Sequence, residues 1–176
     1  MRHWIIGILS IAAMFLTACT DTADEVVEGK SPLYGSWDDI SNIKSEGPRA
    51  FTNAGKIITA GAYIYVNEAK KGIHVIDNSD PADPRNIAFW AISGNSEFII
   101  KDNVLYADNG RHIFVIDISS IQQIKVLETL RDIYDPSTLE EFPPNYKGPF
   151  ECYTYTKGLL LGWENKSIVN PLCRTI

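Results

Sequence analysis

A repeat of about forty residues occupies the middle of this chain. The tripeptide Val-Ile-Asp ends at Asp77 in the first copy and at Asp117 in the second, an offset of 40 residues. A tyrosine in the preceding apolar segment recurs at an offset of 41, as Tyr65 and Tyr106. Chains with such a period fold as stacked copies of one supersecondary unit. The repeat therefore restricts the fold to similar modules that bury their faces against one another.

Each copy of the repeat is predicted to contain four short β-strands. The segments are rich in Ile, Val, Tyr and Phe, and residues that favour turns, such as Asn109-Gly110, separate them. Four strands per unit of this length are typical of propeller blades. We predict an all-β fold with two blade-like antiparallel units and a C-terminal partial blade or hairpin. The predicted strands span about 56–60, 62–67, 72–77 and 86–92, then about 96–101, 103–108, 112–117 and 124–129.

The two copies resemble LVIVD repeats. The resemblance rests on GIHVIDNSDPADPRNIAFWAISG, which begins at Gly72, and on HIFVIDISSIQQIKVLETL, which begins at His112. The second copy departs at Ser119-Ser120-Ile121, where Ser-Asp-Pro is usual. The segment from Gly148 to Cys173 is similar to one that follows these repeats, so the resemblance covers residues 48–173. It implies a secreted or surface lipoprotein of bacteria with propeller-like blades, and it implies no particular activity.

The length of the chain raises the question of how the blade stack ends. A closed propeller needs at least four blades, on the order of 160 residues at this period. Residues 48–176 are expected to form the repeat domain, with repeats at about 55–93 and 94–131 and a C-terminal segment at 132–176. The chain is thus interpreted as a short or truncated member of the family. The C-terminal segment caps the stack, copies of the chain associate, or the domain is marginally stable; we expect capping.

The N-terminus has the features of a lipoprotein signal peptide. Arg2 and His3 precede a twelve-residue apolar run that begins at Trp4, a length typical of a signal-peptide core and too short to span a bilayer. The following Leu-Thr-Ala-Cys resembles the lipobox of bacterial lipoproteins. We predict that residues 1–18 are removed and that Cys19 is acylated. The alternatives are an ordinary secretory signal and an uncleaved anchor.

Residues 19–47 are predicted to form a flexible, acidic tether behind the lipidated cysteine. The stretch from Thr20 to Gly29 is small, polar and acidic, with little that could be buried. Acidic residues in this place resemble surface-export signals of some gram-negative bacteria. We therefore expect the protein at the outer membrane, on its periplasmic or its surface side.

The charge of the chain argues against nucleic acid as a partner. After residue 18 the sequence has 15 basic and 22 acidic residues, a formal charge of −7. Binding to a phosphate backbone would need a face rich in Lys and Arg instead. Contact with the membrane is expected through the acyl chains, since two or more of them attach a protein durably.

Two further cysteines, Cys152 and Cys173, are predicted to form a disulfide. Thiols oxidise readily outside the cytoplasm. Free thiols and a metal pair are the alternatives, but the nearby sequence offers no histidine or third cysteine. The disulfide would be a structural feature of the C-terminal segment.

The sequence contains no recognisable catalytic or cofactor motif. A Gly-x-Ser-x-Gly elbow, a phosphate-binding loop and zinc-ligand spacing are all missing. We interpret His74 and His112 as ordinary strand residues. Asp77 and Asp117 occupy equivalent strand ends, where a carboxylate closing an Asx-turn is a better interpretation than a shared cation site. We therefore predict no catalytic residue, no metal and no cofactor.

Aromatic side chains are the remaining candidates for ligand contact. Trp90 and Trp163 are possible contacts for a sugar or a peptide, although strand aromatics more often pack in a core. The expected function is a non-catalytic, lipid-anchored interaction module, with another envelope protein or a polysaccharide as partner. One alternative is an enzyme or accessory subunit acting on surface glycans, which would need Asp77, Asp108 or Asp117 to converge in a pocket. The other is a decayed paralogue without a role of its own.

Overall fold

The two repeats fold into two neighbouring β-sheets, and both ends of the described chain build a third. The computed structural model describes residues 24–175. Within this range the regular elements are β-strands and two short 3₁₀ turns, Pro136–Thr138 and Tyr155–Lys157, so the prediction of an all-β fold is confirmed. The strands are β1 (Val26–Gly35), β2 (Lys44–Glu46), β3 (Ala54–Ala60), β4 (Tyr63–Glu68), β5 (Gly72–Asp77), β6 (Arg85–Ala91), β7 (Phe98–Lys101), β8 (Val104–Asp108), β9 (Ile113–Asp117), β10 (Lys125–Leu130), β11 (Gly148–Phe150), β12 (Leu159–Val169) and β13 (Cys173–Thr175).

The first repeat sheet has the strand order β2-β6-β5-β4-β3. Strands β3 to β6 form the antiparallel meander expected of the repeat, and β2 adds a strand by pairing with β6. Gly61 permits the tight turn between β3 and β4, because its φ of 58° lies in the left-handed region that glycine adopts without strain.

The second repeat sheet has the order β10-β9-β8-β7, again an antiparallel meander. Asp102 has a φ of 55° in the turn between β7 and β8, a conformation that a short polar side chain tolerates better than a bulky one. The ends of all eight repeat strands lie within two residues of their predicted positions.

The core lies between the two repeat sheets. Tyr65, Val75 and Trp90 from the first sheet pack against Leu105 and Phe114 from the second, and each of these side chains is at most 5 % exposed. The indole Nε1 of Trp90 also donates a hydrogen bond of 2.9 Å to the carbonyl oxygen of Ile121 in the second repeat. The duplicated sequence therefore produces one shared hydrophobic layer.

The third sheet has the order β12-β1-β11-β13 and joins the two ends of the described chain. Strand β1 pairs antiparallel with β12 from Val26 opposite Val169 to Gly35 opposite Leu159. It also pairs in parallel with β11. The predicted C-terminal unit is thus a sheet that is complete only with β1.

The prediction of a flexible tether is wrong for residues 26–35 and 44–46, which form β1 and β2. The polar composition of this segment gave no indication of β1, because backbone hydrogen bonds to the distant strand β12 stabilise β1. Gly29 shows how close that packing is, because a Cβ there would lie 2.5 Å from Ile168 Cδ1 and 2.6 Å from the Pro149 carbonyl oxygen. The part of the predicted tether up to residue 23 lies outside the described residues.

The third sheet meets the repeat sheets at their turns. Leu159 lies against Gly94, where an added Cβ would come within 2.6 Å of Leu159 Cδ1. The side-chain amide of Asn109 donates a hydrogen bond of 2.9 Å to the carbonyl oxygen of Trp37, in the connection after β1. The third sheet therefore contacts the repeat sheets at these turns. The outer face of the second repeat sheet is not capped as expected, since Ile99 there stays 59 % exposed.

Cys152 and Cys173 are joined by a disulfide, the pairing that the sequence favours. Their Cα atoms are 5.3 Å apart. The bridge connects the residues after β11 to β13, the strand that pairs with β11 at one edge of the third sheet.

Loss of this bridge is expected to lower the free energy of unfolding by about 3 kcal/mol. The bridged cysteines are 21 residues apart, and a crosslink of this span restricts the unfolded chain by roughly that amount. The double variant Cys152→Ser/Cys173→Ser, compared with wild type in urea denaturation, provides the measurement. Coincident unfolding curves would contradict the expectation.

Candidate functional site

The outer face of the second repeat sheet carries a row of apolar side chains. Along a strand, successive side chains point to opposite faces. Residues of one parity are buried against the first repeat sheet, and residues of the other parity point outward. Ile99 pairs with Tyr106, which in turn pairs with Val115, so these three form one row across β7, β8 and β9. Ile113 lies on the same outer face as Val115, two residues along β9.

The equivalent row in the first repeat is buried. Ile58, Tyr65 and Val75 occupy the positions of Ile99, Tyr106 and Val115, at offsets of 41 or 40 residues. They face the second repeat sheet, where Tyr65 is 5 % and Val75 0 % exposed. The second repeat therefore presents to the outside the same surface that the first repeat covers with its neighbour.

We call the side of a repeat sheet that carries this row its forward face, and the opposite side its rear face. Inside the molecule, the forward face of the first sheet packs on the rear face of the second, which carries Phe98, Leu105 and Phe114. The forward face of the second sheet differs from that of the first at one edge, since Glu128 pairs with Val115 where Ala88 pairs with Val75. Its centre is apolar and its β10 edge is charged.

A cleft of about 180 Å³ lies on the forward face of the second sheet. Ile99, Tyr106 and Ile113 line it together with Tyr134, from the segment after β10. Tyr134 is 48 % exposed and forms one wall of the cleft, and Tyr106 and Ile113 beside it are partly exposed. A concave, largely apolar surface of this kind is suited to a protein contact.

The rear face of the first sheet is partly covered by residues 47–53, which connect β2 to β3 and which we call the strap. The Phe51 ring stacks on the His74 ring with centroids 4.1 Å apart. The Arg49 guanidinium lies 4.4 Å from the centroid of Phe89. Ile57, which is on this rear face beyond the strap, is 63 % exposed.

Glu68 fastens the strap to the first sheet. Its carboxylate accepts hydrogen bonds from the backbone N–H groups of Thr52, at 3.2 Å, and Asn53, at 2.7 Å, and from the Thr52 hydroxyl. The Nε2 atom of His74 lies 3.2 Å from Oε2 of Glu68, the oxygen that also accepts the Thr52 backbone N–H. Burial alone would raise the pKa of Glu68, but the hydrogen bonds from Thr52, His74 and Asn53 lower it to about 2.

The Glu68–His74 pair is built for structure rather than for attack on a ligand. A histidine beside a carboxylate is a frequent catalytic combination. Here the His74 side chain is 0 % exposed and lies beneath Phe51. His74 is a residue of strand β5, as the sequence predicts. Glu68 could not be identified from the sequence, because the strap groups that it binds are 15 and 16 residues away.

His112, the second histidine among residues 24–175, links the second repeat to the connection between β1 and β2. It is 2 % exposed, and its Nδ1 accepts a hydrogen bond of 3.0 Å from the backbone N–H of Asp132. Its Nε2 lies 3.4 Å from a carboxylate oxygen of Asp38. Burial lowers the pKa of His112, and the negative charge of Asp132 opposes the shift.

Asp108 has a structural task in the second repeat similar to that of Glu68 in the first. One oxygen accepts hydrogen bonds of 2.8 Å from the backbone N–H groups of Ser96 and Glu97, and one of 3.1 Å from the Asn95 side-chain amide. Asn95 in turn accepts a bond of 2.6 Å from Asn67 in the first sheet. A buried polar bridge therefore aligns the two repeat sheets.

Asp77 and Asp117 close Asx-turns at equivalent strand ends, as the sequence predicts. Asp77 Oδ1 accepts a hydrogen bond of 2.9 Å from the backbone N–H of Ser79, and Asp117 Oδ1 one of 2.9 Å from that of Ser119. Hydrogen bonds from the hydroxyl and the backbone N–H of Ser79 lower the pKa of Asp77, and those from the backbone N–H and the hydroxyl of Ser119 lower the pKa of Asp117. Among residues 24–175, no group of three or more His, Cys, Asp or Glu side chains is placed to hold a metal ion.

Trp90, one of the two possible ligand contacts, is an interior residue, which is the more frequent role of strand aromatics. Its side chain is 0 % exposed, because β6 places it on the forward face of the first sheet, beneath the second. Trp163 is partly exposed and lies in β12 of the third sheet, edge-on to Phe150 with ring centroids 5.6 Å apart. The two tryptophans therefore belong to different sheets and share no binding face.

The predicted lipidation site, Cys19, lies outside the described residues. In residues 24–175 no helix is long and apolar enough to cross a membrane. Comparisons of this chain with family models, with curated proteins and with solved structures found no match.

Proposed function

We propose that this chain is a lipid-anchored protein of the bacterial cell envelope that acts as a non-catalytic interaction module. Its contact surface is the forward face of the second repeat sheet. The interaction part rests on the difference between the two equivalent rows. In the second repeat Ile99 is 59 % exposed and Tyr106 and Val115 are partly exposed, whereas Tyr65 and Val75 in the first repeat are buried. Soluble proteins seldom leave an apolar sheet face open without a partner for it.

The chemistry of this face favours a protein over a polysaccharide as the partner. Ile99, Ile113 and Val115 are aliphatic and offer no hydrogen bonds to sugar hydroxyl groups. Protein interfaces, in contrast, have an apolar centre and a polar rim. The Lys56–Glu97 ion pair, 2.9 Å long, lies at the edge of the cleft and supplies such a rim.

The lipid anchor is proposed from the lipobox-like sequence that ends at Cys19 and from the resemblance to lipoproteins with LVIVD repeats. Metabolic labelling with a palmitate analogue in a gram-negative host tests it. We expect label in the wild-type chain and none in Cys19→Ser. An unlabelled wild-type chain would overturn the anchor.

The interaction role is tested by photo-crosslinking in cells that express the full chain. A benzophenone amino acid at position 106 is expected to capture a partner. The same probe at position 172, where Leu172 is 93 % exposed, serves as the control. Equal capture at both positions, or none at position 106, would reject the forward face as a contact surface.

The glycan-enzyme alternative has less support. It required Asp77, Asp108 or Asp117 to share a pocket, and these carboxylates are hydrogen-bonded to separate turns. The interaction module is therefore the function we propose.

A further inference from the structure

We infer that the partner of the forward face is a second copy of this chain, which docks head to tail through the rear face of its own first sheet. This inference rests on the proposed function and names its partner. The molecule already contains one such interface, between its first and second repeat sheets.

The internal interface is a template for the external one. The forward face of the first sheet, with Tyr65 and Val75, already binds a rear face, that of the second sheet. Tyr106 and Val115 reproduce that forward face on the second sheet. A surface with the same row of Ile, Tyr and Val in the same strand register prefers the same kind of partner surface.

A rear face is open on the first sheet of each copy. Ile57, Ile64 and Ile76 occupy the positions of Phe98, Leu105 and Ile116, which form the rear face of the second sheet. Ile57 is 63 % exposed, while Ile64 and Ile76 are half-buried. The strap closes the part of this face around His74, so the open part lies toward β3.

The two open faces match in position as well as in chemistry. On the second sheet the most exposed member of the row is Ile99, on the edge strand β7. On the first sheet the most exposed apolar residue of the rear face is Ile57, on the edge strand β3. Strands β3 and β7 also approach each other in the internal interface.

The number of sheets gives the expected size of the assembly. Contacts between unlike faces form a ring if the rotation closes, and an open filament if it does not. Two copies contribute four repeat sheets, and four is the smallest number of blades in closed propellers. We therefore expect a dimer with two equivalent contacts between repeat sheets. In each copy the third sheet stays against the turns of its own repeat sheets, outside these contacts.

Paired charge variants test this geometry. Ile99→Asp damages the forward face and Ile57→Asp damages the rear face, and both side chains are exposed enough for the monomer to keep its fold. Two full-length copies with different tags are expressed together and purified through one tag in mild detergent. Wild-type copies are expected to co-purify, and recovery is expected to fall at least about tenfold when both copies carry the same variant, because a desolvated aspartate costs more than about 1.4 kcal/mol.

The mixed pair is decisive. One copy with Ile99→Asp and one with Ile57→Asp retain one intact forward–rear contact, so they are expected to co-purify again. Leu172→Asp in both copies is the control and should leave recovery unchanged. A contact between two forward faces would instead let Ile57→Asp copies associate with each other, which would overturn the head-to-tail inference.

The proposed function and this inference fail in different ways. If wild-type copies do not co-purify but the probe at position 106 captures another protein, the second-copy inference is wrong and the interaction role stands. If the probe captures nothing and the copies do not co-purify, both are wrong. If captured peptides come from residues 54–77 of a second copy, both are supported.

Discussion

Replacing Trp90 with alanine is expected to lower the free energy of unfolding by about 3–5 kcal/mol. The side chain is 0 % exposed and lies between the two repeat sheets, with its ring 5.4 Å from that of Tyr65. The substitution leaves a large cavity and removes the hydrogen bond to the Ile121 carbonyl. Domains of this size are stable by only about 5–15 kcal/mol, so the variant would be close to unfolding.

Trp163→Ala is the matched control for this prediction. Trp163 is partly exposed and packs edge-on against Phe150 in the third sheet. We expect less than half the loss seen with Trp90→Ala, measured by urea denaturation followed by circular dichroism. Similar losses for the two variants would show that the repeat interface is not the main core.

Replacing Glu68 with glutamine is expected to destabilise the protein by about 3 kcal/mol at pH 7. The pKa of Glu68 falls from 4.5 to about 2 on folding, and each unit corresponds to about 1.4 kcal/mol. Its side chain is 3 % exposed, so water screens these hydrogen bonds little. The amide keeps the shape of the side chain but loses the charge that Thr52 and Asn53 stabilise.

The same variant is expected to change the dependence of stability on pH. Because the folded pKa of Glu68 is below the unfolded value, the contribution is fully present above about pH 5 and is lost as the pH falls toward 2. In Glu68→Gln, the free energy of unfolding should therefore fall less steeply with decreasing pH between pH 5 and pH 2 than in the wild type. Glu97→Gln is the control, since Glu97 is 68 % exposed and its ion pair with Lys56 is worth less than about 1 kcal/mol. An unchanged slope in Glu68→Gln would contradict the role of this carboxylate.

The repeat strands could be predicted because their signals are local. Turn residues such as Gly61 and Asp102 separate short apolar segments, and each strand pairs with its neighbour in sequence. Strand β1 could not be predicted in this way. Its main partner lies at the other end of the chain, and backbone hydrogen bonds, which carry no side-chain pattern, hold the two together.

The burial of Trp90 and the role of Glu68 could not be predicted from the sequence for a related reason. Strand β5 has no polar, exposed face, because the residues that point to either side of it, Ile73 to Ile76, are apolar or buried. The alternation of polar and apolar residues therefore does not show which face a neighbouring sheet covers. Strands with two buried faces read as continuous apolar runs. Which tryptophan is interior, and which carboxylate meets the strap, depends on the order of the sheets.

Strand β1 is synthesised before both repeats, whereas its partner β12 is synthesised after them. All strands of the two repeat sheets are synthesised before β12, so the repeats are able to fold while synthesis continues. The third sheet forms only after β12 has been synthesised. A product that stops short of residue 159 would therefore carry an intact pair of repeat sheets beside an unpaired ten-residue strand, with free N–H and C=O groups that invite aggregation.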